Sequence, residues 1–114
     1  MGKDRKGPLA ACLGQSRDLG GLIEYGEDSV VSKTILDKDA GTLTLFAFDA
    51  GQGLSEHQAP FDAVVQIVEG SGVITIDGKE GVVRSGEIVI MPGNVPHSVR
   101  ADERFKMLLT MIRA

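Results

Sequence analysis

The sequence predicts an all-β domain, built either as a sandwich of two sheets or as a closed barrel. Short stretches of alternating or β-branched apolar residues recur along the chain. Turn-forming residues separate these stretches at regular spacing, and the chain contains 15 glycines. No stretch shows the apolar spacing of three to four residues that marks an amphipathic helix.

Length and composition indicate one ordinary globular domain. The chain has 114 residues, of which 42% are hydrophobic and 25% are charged. Its net charge is −4, and it carries no basic stripe interleaved with aromatic residues, so we expect no nucleic-acid partner. No apolar run is long enough to cross a bilayer, so we expect no membrane partner. The single cysteine, Cys12, allows no intramolecular disulfide, and no export signal is evident, so we expect a cytoplasmic protein.

The first half of the chain changes from an irregular segment to strand patterns. Residues 1–20 are polar and glycine-spotted, and we predict a flexible N-terminal arm followed by a barrel domain over residues 21–114. Strands are predicted over Ser29–Leu36, over Thr42–Asp49, around His57, and from Pro60 to Glu69. The second of these alternates strictly, with Leu43, Leu45 and Ala47 on one face and Thr44, Phe46 and Phe48 on the other.

The second half continues the same pattern to the end of the chain. Strands are predicted over Val73–Ile76, Gly81–Arg84, Glu87–Met91, from His97 onward, and over Phe105–Ile112. Asp77-Gly78 is a strong hairpin-turn signal between the first two. The segment from Pro92 to Pro96 is predicted as a loop, because two prolines remove ladder hydrogen bonds.

The chain has only two histidines, and they occupy similar positions. His57 precedes Pro60 and His97 follows Pro96, each at one end of a predicted strand. In an antiparallel barrel such strand ends can meet at one mouth, although 40 residues separate the two in sequence. A single histidine in such a place is usually a hydrogen-bonded structural residue, and that interpretation stays open for each.

Two segments resemble the sequence motifs of the small cupins. The segment from Gly51 through His57 to Glu69-Gly70 resembles the first cupin motif, and the segment from Gly86 to His97 resembles the second. The resemblance is strongest from Thr42 to Arg100. It implies a single antiparallel cupin barrel, a double-stranded β-barrel of the jelly-roll type.

The same resemblance implies a metal site in which half of the usual ligands are missing. The histidines of the two motifs fall on His57 and His97, whereas the second histidine and the acid of the first motif fall on Ala59 and Ala63. Transition-metal sites normally use at least three protein ligands. The cofactor implied is therefore a divalent transition metal held weakly by the two histidines. Asp62, one residue out of register, and Asp49 are the acids considered as replacements.

The two alanines also predict space inside the barrel beside His57. Either neighbouring aromatic and methionine side chains fill this space or a mostly apolar pocket remains, which would suit a small molecule. The predicted ligand-binding residues are His57, His97, Ala59, Ala63, Phe61 and Met107.

Three functions are consistent with these residues. The first is a small-molecule binding or sensing cupin with a degenerate two-histidine site. The second is a metal-dependent enzyme of the dioxygenase, isomerase or lyase type acting on a small oxygenated substrate. The third is metal-free acid–base catalysis by His57 or His97. No Ser-His-Asp or Cys-His arrangement is recognisable, which argues against a hydrolase.

We also expect a homodimer. The apolar strand from Val30 to Leu36, together with Val64 and Val68 on the outward side of their strand, requires cover from water. Cupins commonly pair through such N-terminal strands, so the resemblance supports the same expectation.

Overall fold

The computed structural model describes residues 8–113, and its regular secondary structure is almost entirely β-strand. Two single-turn 3₁₀ helices, Ala10–Cys12 and Gly20–Leu22, precede the strands. The nine strands are β1 (Val30–Lys38), β2 (Gly41–Phe48), β3 (Gly53–His57), β4 (Asp62–Glu69), β5 (Ser71–Ile76), β6 (Lys79–Arg84), β7 (Ile88–Met91), β8 (His97–Arg100) and β9 (Phe105–Ile112). The predicted all-β class is confirmed.

The strands form two antiparallel sheets that enclose one core. The first sheet has the order β1-β2-β9-β4-β7 and the second has the order β3-β8-β5-β6. One of the connections between the sheets, from β4 to β5, is the single residue Gly70, whose positive φ of 76° is a conformation that favours glycine. The predicted hairpin turn is present at Asp77 and Gly78, both with positive φ, as a type I′ turn requires.

Strand alternation fills the space between the sheets. On β2, Phe46 and Phe48 share one face, as the sequence pattern predicts, and this face packs into the inner core. The ring of Phe48 stacks on that of Phe105 at a centroid distance of 4.6 Å. The buried members of the inner core are Phe48, Ala63, Val65, Ile67, Ile74, Val83, Met91, Val99, Ala101, Phe105 and Met107. Burial of these apolar side chains is the main stabilising contribution to the fold.

A second apolar layer covers part of the outer face of the first sheet. Leu45 and Ala47, on the other face of β2, are fully buried against Ile23. The partly buried residues around them are Leu19, Leu22, Tyr25, Val31, Ile35, Val68 and Leu108. Residues 19–25, which we call the cover segment, therefore protect part of this face from water.

The cover segment bears on two expectations from the sequence. Val68 and Val31 were expected to need cover, and residues of the same chain supply it. The predicted arm of residues 1–20 overlaps the cover segment at Leu19, and the Leu9 N–H donates to the Ile35 carbonyl. Residues 1–7 lie outside the described residues, and the flexibility of the arm stays a prediction.

Within residues 8–113, no helix is both long enough and apolar enough to cross a membrane.

Candidate histidine site

Antiparallel pairing of β3 with β8 brings the two histidines together. His57 is the last residue of β3 and His97 is the first residue of β8, and the two are paired residues in the register. A one-residue bulge lies between Leu54 and His57, where the register of the two strands shifts. On its other side β8 pairs with β5, which places Ile76 opposite His97.

The two imidazole rings meet edge to face. Their Nε2 atoms are 3.2 Å apart, the ring centroids are 4.4 Å apart and the ring planes are inclined by 73°. The Nδ1–H of His57 donates to the Ser55 carbonyl at 2.9 Å, and that of His97 donates to the Val95 carbonyl at 3.3 Å. Each ring is therefore held by a carbonyl two residues earlier in its own segment.

These hydrogen bonds decide which ring nitrogens are free to bind. Because a carbonyl oxygen can only accept, each Nδ1 carries the proton and each Nε2 of a neutral ring presents a lone pair. Two lone pairs then face each other across 3.2 Å. Such an arrangement is favourable only with a proton, a hydrogen-bond donor or a cation near both nitrogens.

The protonation of His97 is disfavoured by its surroundings. Burial lowers the pKa of His97 below its usual value, and the neighbouring His57 lowers this pKa further, against the opposing hydrogen bond to the Val95 carbonyl. His97 is only 6% exposed, whereas His57 is exposed. The pair is therefore accessible to solvent from the side of His57.

Ala63 lies at the end of the barrel at which β3 ends and β8 begins. It is 2% exposed, and its register partners are Met91 on β7 and Met111 on β9. Since all three share the inner face of the first sheet, this end is lined by one methyl group and two thioether side chains.

Ala59 and Phe61 lie in the turn before β4, and both are partly buried. The Asn94 N–H donates to the Ala59 carbonyl at 2.7 Å. A side chain at Gly93 would come within 3.1 Å of the Phe61 backbone, so this loop packs directly on the turn. The loop leading to His97 is thus held against the turn that carries Ala59 and Phe61.

Met107 lies deeper in the barrel than the other predicted ligand-binding residues. Its side chain is fully buried in the inner core, and its register partners are Phe46 and Ile67. Met111, four residues farther along β9, is the methionine opposite Ala63. The alternation of β9 indicated which side chains face inward, but sequence alone did not show which of them is level with the histidines.

The acids considered as replacement ligands are engaged elsewhere. Asp62 accepts a hydrogen bond from the Gly93 N–H at 2.9 Å, and Asp49 accepts from Arg104 at 2.7 Å. Among residues 8–113, no group of three histidine, cysteine, aspartate or glutamate residues is placed to hold a metal ion.

The two histidines themselves are suited to share a metal ion. With bonds of about 2.0–2.1 Å, two nitrogen ligands of a tetrahedral metal lie roughly 3.3–3.4 Å apart, close to the observed 3.2 Å between the Nε2 atoms. Hydrogen bonds from the other ring nitrogen to carbonyl groups are the usual support of metal-binding histidines. The donor set therefore fits two positions of a coordination shell.

Comparison with known families and structures agrees with the fold. The model of the cupin-domain family matches residues 44–112, which is more than half of the chain. A conserved protein of unknown function from Streptococcus pyogenes is 30% identical, with 98% of this chain and 96% of that chain covered and a TM-score of 0.86.

Two further solved structures are similar over most of this chain. A cupin 2 conserved barrel domain protein from Leptotrichia buccalis is 38% identical, with 83% of this chain and 46% of that chain covered and a TM-score of 0.81. A cupin superfamily protein from Desulfitobacterium hafniense is 26% identical, with 96% and 98% covered and a TM-score of 0.84. Comparison with curated proteins gives no match. On the family match and these structures, the chain belongs to the cupin-domain family.

Proposed function

We propose that this protein binds a small molecule through His57 and His97. The observation that carries the proposal is the convergence of two Nε2 atoms at 3.2 Å, with both Nδ1 atoms already bound to backbone carbonyls. Two acceptors held in this way form a prepared site for one electropositive centre.

The surroundings of the pair indicate the kind of ligand. An amino or ammonium group, which carries at least two N–H bonds, would donate to both Nε2 atoms, whereas a hydroxyl would satisfy one lone pair and leave the other unpaired. Ala63, Met91 and Met111 offer an apolar surface to the rest of the molecule. We therefore expect a small, largely apolar ligand that carries one amino or ammonium group.

The site is degenerate for metal binding in this proposal. His57 and His97 would hold a divalent transition metal, and alanine occupies positions 59 and 63, where the cupin resemblance implies further ligands. Two imidazoles bind such an ion weakly, because each additional ligand adds affinity and fixes geometry. A bound ion would supply Lewis acidity, which polarises an oxygen atom of a ligand.

A fragment screen by two-dimensional NMR tests the binding proposal. Small hydroxylated and amine-containing aromatic fragments are added to ¹⁵N-labelled protein, and we expect hits to shift the ring signals of both histidines. His57→Ala and His97→Ala should each abolish these shifts. Glu56→Gln is the matched control, because Glu56 is exposed beside His57 and should leave binding unchanged. Hits that persist in both alanine variants would place binding elsewhere.

A metal-dependent enzyme is the second candidate, and the spacing of the Nε2 atoms favours it. Elemental analysis of protein purified without an affinity tag or chelator separates the two candidates. Stoichiometric metal that disappears in both histidine variants would support the enzyme. Metal-free protein that still binds fragments would support the binding function alone.

A further inference from the structure

A groove of about 440 Å³ lies on the outer face of the second sheet. It is lined by residues 51–56, by Thr75 on β5 and by residues 98–100 on β8. Leu54 and Val99 pack into the inner core, so the side chains that alternate with them point outward. His97 and Ser98 therefore project from opposite faces of β8, and the groove is separate from the histidine site.

Polar side chains form a row across this groove. Ser98 on β8 is the register partner of Thr75 on β5. On the other side of Ser98, the bulge of β3 places both Ser55 and Glu56 opposite this one residue. With strands about 4.8 Å apart, the row extends roughly 10 Å over three strands. It is therefore long enough for a ligand of one or two six-membered rings.

The polar groups that line the groove are not used within the protein. Among residues 8–113, no hydrogen bond or ion pair is made by the side chains of Gln52, Ser55, Glu56, Thr75 and Ser98. Each hydroxyl and the Gln52 amide can both donate and accept, and the Glu56 carboxylate can accept. The groove therefore offers donors and acceptors together to a ligand.

Arg100 is held at the edge of the groove by two carboxylates. Its Nε and Nη2 donate to Asp102 at 2.8 and 3.3 Å, and its Nη1 donates to Glu80 at 2.7 Å. With Glu56, three carboxylates surround one guanidinium, which disfavours an anionic ligand. Since Asp102 and Glu80 are both engaged by Arg100, only Glu56 is available to a cation, and one exposed carboxylate holds a cation weakly. The charges therefore favour a neutral ligand.

We propose that this groove binds a neutral polyhydroxylated ligand, namely a mono- or disaccharide. Each sugar hydroxyl both donates and accepts, as do the three hydroxyl groups and the amide of the groove. The Glu56 carboxylate has two oxygens and can accept from two neighbouring hydroxyls of one ring. An apolar ligand would cover the same polar groups and leave them unpaired. Because a groove on the face of a sheet encloses only part of its ligand, we expect weak binding in the millimolar range.

Two-dimensional NMR of the ¹⁵N-labelled full chain tests the proposal, with glucose, galactose, mannose and maltose as probes. We expect at least one of these sugars to cause saturable shifts of backbone amide signals from residues 51–56, Thr75 and residues 98–100. The 6-phosphate of a monosaccharide that binds should bind more weakly than the sugar itself, because the phosphate adds negative charge beside the three carboxylates.

Variants without one hydroxyl test the contacts in the groove. Thr75→Val and Ser98→Ala should each weaken binding severalfold, since each removes a hydroxyl and little volume. Thr110→Val is the matched control, because Thr110 is a partly buried, outward-facing threonine of the first sheet. It should leave binding unchanged, and so should His57→Ala, which separates this groove from the histidine site. Circular dichroism confirms that each variant is folded, and Ser98→Ala carries the test if Thr75→Val is not.

The proposal is wrong if the shifts rise linearly with every sugar, since such shifts reflect a general effect of added solute. Saturable shifts confined to other parts of the chain would also contradict it. So would binding that persists at full strength in the folded Thr75→Val and Ser98→Ala variants, or that Thr110→Val weakens to the same extent. A 6-phosphate that binds more tightly than its sugar would refute the assignment of a neutral ligand.

Discussion

The hydroxyl of Tyr25 donates to the Glu69 carboxylate at 2.6 Å and so ties the cover segment to the end of β4. Arg104 and Lys106 each lie 5.0 Å from the centre of the Tyr25 ring. Burial raises the pKa of Tyr25, and the hydrogen bond to Glu69 raises it further, so the hydroxyl keeps its proton throughout the physiological range. The nearly buried Lys106 also donates to the Gly20 carbonyl at 2.6 Å.

Two substitutions of Tyr25 should separate the contribution of its hydrogen bond to stability from the contribution of its ring contacts. Tyr25→Phe should lower the free energy of unfolding by about 1 kcal/mol, because one hydrogen bond is lost and the ring remains. Tyr25→Ala should cost more, since the contacts with the two cations and the packing are lost as well. Urea denaturation of both variants measures this order, and equal losses would show that the ring contributes nothing.

Truncation should locate the boundary between the arm and the folded domain. Deleting residues 1–18 should change the melting temperature by no more than a few degrees, because this segment lacks apolar periodicity. Deleting residues 1–25 should destabilise the protein severely, because it removes Ile23 and exposes Leu45 and Ala47. Thermal melts of the two truncations provide the comparison. A large loss in the shorter truncation would mean that residues 8–18 are docked.

The main features of the fold follow from the sequence, whereas the cover segment does not. Alternation over Thr42–Asp49 placed Phe46 and Phe48 on the face opposite Leu45, and both faces proved to be buried. The apolar residues of the cover segment have no such period, because they lie around a single 3₁₀ turn at Gly20–Leu22. Side chains on irregular backbone are buried by tertiary contacts, and such contacts leave no periodic pattern in the sequence.

The approach of β5 to β9 should not tolerate an added methyl group at Gly72. A Cβ atom there would lie 2.6 Å from two ring atoms of the fully buried Phe105. Gly72→Ala should therefore destabilise the protein by about 1–3 kcal/mol through overpacking.

Gly81→Ala is the control for this substitution. Gly81 lies on the neighbouring strand β6, and a Cβ atom there would meet no atom within 4 Å. Its substitution should be close to neutral. Chemical denaturation measures the free energy of unfolding of both variants. Equal values would show that the Phe105 ring can move aside.

Removing His57 should cost little stability. Its side chain is exposed, and its hydrogen bond within the protein is to the nearby Ser55 carbonyl, apart from the contact with His97. We expect His57→Ala to change the free energy of unfolding by about 0.5 kcal/mol or less, as for a surface position. A loss of several kcal/mol in chemical denaturation would instead identify His57 as a structural residue.

The stability of the protein should fall on acidification through His97. Because the pKa of His97 is lower in the folded state than in the unfolded chain, the unfolded chain takes up the proton first. This contribution to stability is complete above about pH 6.5, the usual histidine pKa, and is lost as pH falls toward the lower folded-state value. His97→Gln should weaken this dependence, as urea denaturation across the pH range would show.

The sequence was informative about which two histidines come together and less so about how the side chains around them are arranged. Motif positions identified His57 and His97 as partners, and antiparallel pairing explains why they meet. That Met111 lies opposite Ala63 depends on the register between β4 and β9. The apolar pattern of each strand alone does not fix this register. The bonds from Nδ1 to the Ser55 and Val95 carbonyls depend on local backbone bends, which carry no sequence signature.

The two halves of the histidine site differ in how firmly the backbone holds them. His97 lies on β8, which has hydrogen-bonded neighbours on both sides, whereas His57 ends β3, an edge strand with a register shift just before it. Amide protons of β3 should exchange with solvent sooner than those of β8, because short irregular edge strands open at low free energy. Local opening of β3 would then carry one imidazole away from the other while the core stays folded. Under the proposed binding function, this motion would govern the entry and release of the ligand.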